Sequence, residues 1–306
     1  MSDKEPILEF TGERFTPECV REIAYEHWHR YAWALPWVQG LDVLDVACGE
    51  GYGSHLISQH AASVVGIDLD PTTINHATEK YSQDNLSFQV GDVLDLPLED
   101  GRFDVIVCFE TIEHVADHAR LMMEFQRVLK PDGKLLLSSP DKASYSDQTG
   151  YDNPFHVKEL YREELDDLLA THFKAHRMWA QKLLFASTIT PLPNGTDGDS
   201  HSTVQWMIKD GERIHQSAHP TLASQYYLAV ASVSGRGLDE ANTTSVFTDK
   251  DESVYQHYIE EIQHHIHSAE QLAEKDRTIE RLTYQLDEVT TQRPWWRRLF
   301  GSQSKK

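Results

Sequence analysis

Between residues 43 and 139, short β-branched runs alternate with polar stretches that have helical periodicity. This alternation is typical of βαβ units, in which parallel strands are joined by crossover helices. A parallel sheet needs helices on both faces, so the pattern restricts this part of the chain to an α/β fold. The predicted strands are residues 42–46, 63–68, 86–90, 103–109 and 134–139, followed by 176–181 and 226–232.

Proline and aspartate mark where the intervening helices begin. Pro71 occupies a first-turn position before a helix at 72–80, and Asp117 precedes a helix that Pro131 and Gly133 stop. A further acidic helix is expected at 157–171.

The rest of the chain divides by composition. We expect an N-terminal helical cap at residues 1–40 and a domain at 41–235 with an excursion near 183–220, where Asn-Gly and Asp-Gly turns occur. A linker at 236–252 then leads to a helix at 253–292. The final residues, 293–306, form a basic and aromatic tail.

The predicted helix at 253–292 has an apolar seven-residue repeat, which is typical of a coiled coil. Leu272, Ile279 and Leu286 set the repeat, and Leu282 and Val289 interleave with them. This pattern predicts a homo-oligomer or a helical partner. The arginines and tryptophans of the tail predict contact with an anionic membrane surface, and docking on a protein partner is the alternative.

Charge and cysteine content restrict the partners and the compartment. The formal net charge of −21 disfavours binding to nucleic acid along the main body. The three cysteines are not paired at metal-binding spacing, so a reduced, cytoplasmic protein with no metal site is expected. No run is long and apolar enough for a membrane span, although the tail allows peripheral location at the inner membrane face.

The most informative stretch is residues 43–54, an apolar strand that enters a glycine-rich turn and then a helix. Small residues allow a ligand to lie against the backbone, and a helix N-terminus offers free N–H groups. Dinucleotide-binding enzymes use a similar turn, but here Ser54 stands where their third glycine would be. Asp45 ends the strand, and a carboxylate at that point suits a ligand ammonium group.

Two more acids end the next two strands. Asp68 is placed to accept hydrogen bonds from ribose hydroxyls, and Asp92 to accept one from an adenine amine. The carboxyl ends of parallel strands share one edge of a sheet, so the three acids are predicted to surround one crevice. Considered singly, Asp45 could cap backbone amides and Asp92 could be an ordinary turn residue.

Four motifs in this order resemble those of class I S-adenosylmethionine (SAM) dependent methyltransferases. They are residues 45–51, 66–68, 91–92 and 103–115, and the resemblance extends over residues 12–234. It implies a Rossmann-like, seven-stranded, mostly parallel sheet and SAM as cofactor. Ala47 departs from the family, which usually has glycine at this position.

The resemblance also implies roles for individual residues. The first loop would contact the methionine part of SAM, Asp68 the ribose, and Asp92 with Val93 the adenine. Arg30 would bind the carboxylate of the cofactor, with Arg14 as the alternative, and Phe109 belongs to the fourth motif. The loop residues concerned are Ala47, Gly49 and Gly51.

A methyl acceptor that reacts through oxygen needs a group to remove its proton, and histidine suits neutral pH. Glu110 and His114 follow the fourth strand directly, and His156 lies in the loop after the fifth. These three residues are the catalytic candidates, with His156 preferred. The alternative is that His114 packs or caps a helix while His156 orders its loop.

A narrower resemblance concerns residues 12–17, 29–32, 139–142 and 153–160, which are similar to methyltransferases of bacterial surface-polysaccharide (O-antigen) assembly. It implies a sugar hydroxyl as acceptor in lipopolysaccharide biosynthesis. The alternatives are a methyltransferase for a small molecule such as a quinone precursor or sugar nucleotide, a catalytically silent scaffold organised by its coiled coil, and a nicotinamide-dependent oxidoreductase.

Overall fold

A computed structural model describes residues 15–17, 22–189, 204–217, 223–238 and 244–291. The chain divides into two compact units, Met1–Thr248 and Asp249–Lys306, and each is described by itself.

The first unit contains the predicted seven-stranded sheet, with strand order β3-β2-β1-β4-β5-β9-β6. The five strands from β3 to β5 are parallel, and β9 runs antiparallel to both of its neighbours. The chain order reverses between β1 and β4, which is where ligands bind in open α/β sheets. The strands of the sheet are β1 Asp42–Val46, β2 Ser63–Asp68, β3 Leu86–Val90, β4 Phe103–Cys108, β5 Leu129–Pro140, β6 Ala175–Gln181 and β9 Tyr226–Ser232.

Five helices accompany the sheet: α1 Glu22–Val38, α2 Tyr52–Ser58, α3 Pro71–Lys80, α4 His118–Val128 and α5 Arg162–His172. Two of them begin where the sequence predicts. The Asp70 side chain accepts a hydrogen bond from the N–H of Thr72 at the start of α3, and Asp117 caps α4 in the same way through Arg120.

The prediction of a helix at 157–171 was wrong at its start, since α5 begins at Arg162. The backbone N–H groups of Val157 and Lys158 both donate to the carbonyl oxygen of Glu113. These two bonds tie the segment to a distant turn, and the carbonyl oxygen of Leu160, which a helix would use internally, accepts instead from the N–H of Lys142. The side chain of Glu164 accepts from the N–H of Tyr161 and so marks the true helix start.

Smaller differences concern the strands. β5 begins at Leu129, five residues before the predicted start, because Leu129 pairs with Phe103 ahead of an irregularity in the β4 register. The predicted excursion contains a hairpin that was not predicted, formed by β7 Trp206–Asp210 and β8 Arg213–Ser217. Its signal was Gly211, which has a φ of 57° in a two-residue turn.

The core lies on both faces of the sheet, and successive strand residues alternate between its two halves. Val105 and Val107 of β4 pack on the α1 and α2 side, whereas Ile106 and Cys108 pack on the α4 and α5 side. Since both faces are apolar, polar chemistry is concentrated at the ends of the strands.

Among the described residues of the second unit there is one helix, α6 Ser253–Thr291, which confirms the predicted C-terminal helix; residue 292 lies outside the described part. Its apolar heptad residues are more than half exposed, from Leu282 at 54% to Val289 at 73%. Their association as a coiled coil stays a prediction. The tail at 293–306 lies outside the described residues. Among those that are described, no helix has both the length and the hydropathy of a membrane span.

Candidate functional site

The first loop of the site connects β1 to α2 through three residues of positive φ. These angles are 50° at Ala47, 54° at Gly49 and 93° at Gly51. A Cβ atom on Gly51 would lie 2.9 Å from side-chain atoms of Ala77 and Phe88, so this glycine is required for space as well as for φ. Ala47 adopts a left-handed conformation that costs an L-residue about 1 kcal/mol or more, whereas glycine would adopt it without this cost.

Asp45 lies beneath this loop and is fully buried. Its carboxylate accepts hydrogen bonds from Ser54 Oγ at 2.6 Å and from the hydroxyl of Tyr31 at 3.3 Å. Burial raises the pKa of Asp45 to about 7, although both hydrogen bonds oppose this shift. These contacts tie the loop to α1 and α2, so they support a structural role; direct contact with a ligand ammonium stays a prediction.

Asp68 joins the ends of two strands at the crevice. Its Oδ2 accepts a hydrogen bond from the N–H of Gly49 and its Oδ1 accepts one from Asp70, both at 3.0 Å. The carboxylate is partly exposed, and each oxygen keeps a further lone pair for a ligand hydroxyl. The structure therefore brings Asp68 and the glycine loop together as the sequence predicts.

Asp92 follows β3 directly, at the same edge of the sheet as Asp68. It is exposed, and its Oδ1 accepts a hydrogen bond from the N–H of Leu94 at 2.8 Å. Val93 is half-buried against the apolar core. Asp92 and Val93 thus provide one polar and one apolar group at the third strand end.

Arg30 of α1 is a buried cation beside the end of β4. Its side chain is 1% exposed, its Nε donates to Gln181 Oε1 at 2.8 Å, and its guanidinium lies 4.4 Å from the ring centre of Tyr226. Nη2 approaches Glu110 Oε2 at 3.5 Å. Both Nη atoms are buried without a hydrogen-bond acceptor among the described residues.

A guanidinium with two such nitrogens fits a carboxylate, which would accept one bond from each. This is the observation by which the site fits SAM, whose methionine part carries a carboxylate. Arg14, the alternative, lies outside the described residues.

A buried carboxyl accompanies Arg30. Glu26 is one turn earlier on α1, and burial raises its pKa to about 7, although the nearby Arg30 lowers it. The sequence analysis did not single out Glu26, because only the fold shows that both residues face inwards.

Glu110 lies at the end of β4 with a φ of 47°, which is uncommon for a residue with a side chain. Its Oε1 accepts a hydrogen bond from Ser138 Oγ at 2.6 Å. The backbone N–H of Glu110 donates to Ser138 Oγ at 2.9 Å. Both contacts hold Glu110 between β4 and β5. Phe109, just before it, is buried and packs edge-on against Tyr31, with 5.3 Å between the ring centres.

His114 and His156 lie side by side, with ring centres 5.1 Å apart and ring planes nearly perpendicular. His114 ends a short helical turn, Ile112–His114, and His156 belongs to the loop after β5. The Tyr145 ring stacks on His156 at 5.4 Å. The two predicted catalytic histidines therefore occupy one place; a role in proton removal stays a prediction.

Several residues of the site were missed by sequence reasoning. Tyr31 and Ser54 bind the buried Asp45, and Glu159 accepts a hydrogen bond from His156. Glu113 joins the two histidines in a cluster that could hold a metal ion, although no metal site was predicted. Glu113 could have been found from its position next to His114, but only the histidine was predicted as a site residue.

Comparison with known proteins agrees with this geometry. Residues 44–137 match the family model described as "Methyltransferase domain". A "Probable S-adenosylmethionine-dependent methyltransferase" of Mycolicibacterium smegmatis is 39% identical over 172 residues, which are 54% of this chain and 64% of that protein. A protein of the same description from Mycobacterium tuberculosis is 38% identical over 53% of this chain and 60% of its own length. The chain thus spans about three fifths of these relatives.

A "Ubiquinone biosynthesis O-methyltransferase" of Coxiella burnetii is 38% identical over 33% of this chain and 44% of that protein. Among solved structures, a SAM-dependent methyltransferase from Archaeoglobus fulgidus aligns with 70% of this chain and 94% of its own, with 18% identity and a TM-score of 0.49. This TM-score is too low to support the assignment of the fold, which rests on the strand order of the sheet. Residues 44–137 thus form a methyltransferase domain with a Rossmann-like strand order, similar in sequence to SAM-dependent methyltransferases.

Proposed function

We propose that this protein transfers the methyl group of SAM to a hydroxyl oxygen of an acceptor molecule. The observation that carries the proposal is the buried Arg30, whose two Nη atoms offer a pair of donors to the methionine carboxylate. Asp68, which is bonded to Gly49 of the glycine loop, supports it by presenting lone pairs to the ribose. SAM supplies an electrophilic methyl group, and the protein holds it at the edge of the sheet.

The acceptor side is formed by Glu110, His114 and His156. All three follow β4 or β5, whose carboxyl ends lie at the same edge as the first loop. Their carboxylate and imidazole groups can accept or donate hydrogen bonds and so orient the hydroxyl of an acceptor. This arrangement supports oxygen as the methylated atom.

The acceptor that we favour is a sugar hydroxyl of a surface polysaccharide. It is supported by the short motifs around Arg30 and at residues 139–142 and 153–160, which resemble those of polysaccharide methyltransferases. The second candidate is a small molecule with a hydroxyl group. The Coxiella relative favours it, since that protein is named for ubiquinone biosynthesis.

A transfer assay with labelled SAM distinguishes the two acceptor classes. The protein is offered lipid-linked polysaccharide together with small phenolic or sugar-nucleotide acceptors. The proposal predicts label in the polysaccharide, and label confined to the small acceptors would reject the glycan. Asp68→Ala should abolish most of the transfer, whereas Asp84→Asn, at an exposed acid before β3, should leave it unchanged. Absence of transfer from SAM to every acceptor would favour the silent scaffold.

A further inference from the structure

A cluster of three metal-ligating side chains lies beside the predicted acceptor position. Glu113, His114 and His156 each offer one ligand atom, and these atoms lie within 4.8 Å of one another. Around a tetrahedral ion at about 2.1 Å from each ligand, such atoms are roughly 3.4 Å apart. Small side-chain adjustments therefore suffice to bring all three onto one ion.

Nδ1 of each histidine has a hydrogen-bond acceptor, which is the support that metal-ligating histidines usually have. His114 Nδ1 lies 3.0 Å from the carbonyl oxygen of Phe155, which can only accept, so Nδ1 carries the proton. His156 Nδ1 lies 2.6 Å from Glu159 Oε1. In each ring the lone pair is therefore left on Nε2, and this pairing of an imidazole with a carboxylate or carbonyl is the usual support of a metal ligand.

The backbone fixes the two halves of the cluster against each other. The N–H groups of Val157 and Lys158 donate to the carbonyl oxygen of Glu113 at 2.8 and 3.0 Å. The loop that carries His156 is thus bonded to the turn that carries His114. The relative position of the ligands does not depend on their side chains alone.

Burial and charge also favour a cation. The side chain of Glu113 is 1% exposed, and those of His156 and Glu159 are 8% and 7% exposed. Carboxylates in so little contact with water are stabilised by positive charge. Two imidazoles and one carboxylate form a ligand set that suits Zn²⁺ and other divalent transition metals rather than Mg²⁺ or Ca²⁺.

We propose that Glu113, His114 and His156 bind one divalent transition-metal ion, with Zn²⁺ as the reference ion, and that this ion binds the acceptor hydroxyl. The second part rests on the proposed methyl transfer. Three protein ligands leave a coordination position open, and a hydroxyl bound there loses its proton to water more readily. The oxygen then bonds to the methyl carbon, the carbon–sulfur bond breaks, and its electron pair stays on sulfur to leave S-adenosylhomocysteine.

The full-length protein, stripped with a chelator and dialysed, would be titrated with Zn²⁺ by calorimetry and with Co²⁺ by visible absorption. We expect one tight site per chain, weakened at least ~10-fold in Glu113→Gln and in His156→Gln. His176→Gln is the matched control, because His176 also pairs with a carboxylate, Asp166, but outside the cluster. The exposed histidines of α6 contribute the same background to every variant.

Equal Zn²⁺ binding by the wild-type protein and the His156→Gln variant would overturn the metal site. Far-UV circular dichroism establishes that the variant is folded, and Glu113→Gln provides a second test. Full methyl transfer by metal-stripped protein would overturn the role of the ion and leave the proposed function standing. Zn²⁺ binding without any SAM binding would have the opposite meaning: the site would stand and the proposed function would fail.

Discussion

The buried Asp45 gives the stability of this protein a defined dependence on pH. Its pKa is raised from 3.8 to about 7, mainly by burial, so the folded state binds a proton that the unfolded state has already lost. Between pH 4 and 7 the free energy of unfolding therefore falls as the pH rises. Asp45→Asn removes the titrating group and keeps the size and hydrogen-bonding capacity of the side chain.

The magnitude follows from the pKa. At ~1.4 kcal/mol per pH unit, a carboxyl whose pKa rises from 3.8 to about 7 costs the folded state about 4 kcal/mol once it is ionised. The variant, compared with the wild-type protein, should thus gain about 4 kcal/mol of relative stability between pH 4 and 8. Glu26, whose pKa is also raised to about 7, titrates in both proteins and cancels from the difference.

Urea unfolding of both proteins at a series of pH values from 4 to 8 measures this difference, with Asp132→Asn at an exposed position of β5 as the control. A difference that does not change with pH would refute the account of Asp45, and a decrease would show that it is ionised in the folded state at low pH. SAM affinity at pH 8 decides its second role. A change of less than about threefold, below 1 kcal/mol, would support a structural role, since Asp45 is engaged by Ser54 and Tyr31, whereas a larger loss of affinity would support contact with the ligand ammonium.

Three further changes test other parts of the account. Ala47→Gly should raise the free energy of unfolding by about 1 kcal/mol, because glycine adopts the observed φ of 50° without strain; an unchanged unfolding midpoint would contradict this. Arg30→Met should weaken SAM binding at least ~10-fold in calorimetry through loss of the buried donors, whereas Arg162→Met, at an exposed position, should not. Ile279→Asp should lower the oligomeric state measured by light scattering if the heptad residues of α6 associate, and an unchanged mass would remove the coiled coil.

Much of the fold was predictable because it depends on local patterns. The strands β1, β2 and β4 are short runs rich in valine and isoleucine, and Asp70 and Asp117 cap their helices through neighbours in the chain. The start of α5 was not predictable in this way. It depends on hydrogen bonds from Val157 and Lys158 to Glu113, more than forty residues earlier in the chain.

The site shows the same limit. Asp68 could be placed because strand ends meet at one edge of a parallel sheet. The burial of Asp45 by Tyr31 and the meeting of His114 with His156 depend on the packing of distant segments. Periodicity carries no information on such contacts, and the cluster of Glu113, His114 and His156 was missed for that reason.

The central claim is that the crevice at the ends of β1, β2 and β3 binds SAM. Calorimetry of the full-length protein with SAM, S-adenosylhomocysteine and NAD tests it directly, with Asp68→Ala for comparison. The account predicts one site for SAM and for S-adenosylhomocysteine, weakened at least ~10-fold in the variant, and no binding of NAD. Binding of NAD without binding of SAM would contradict it.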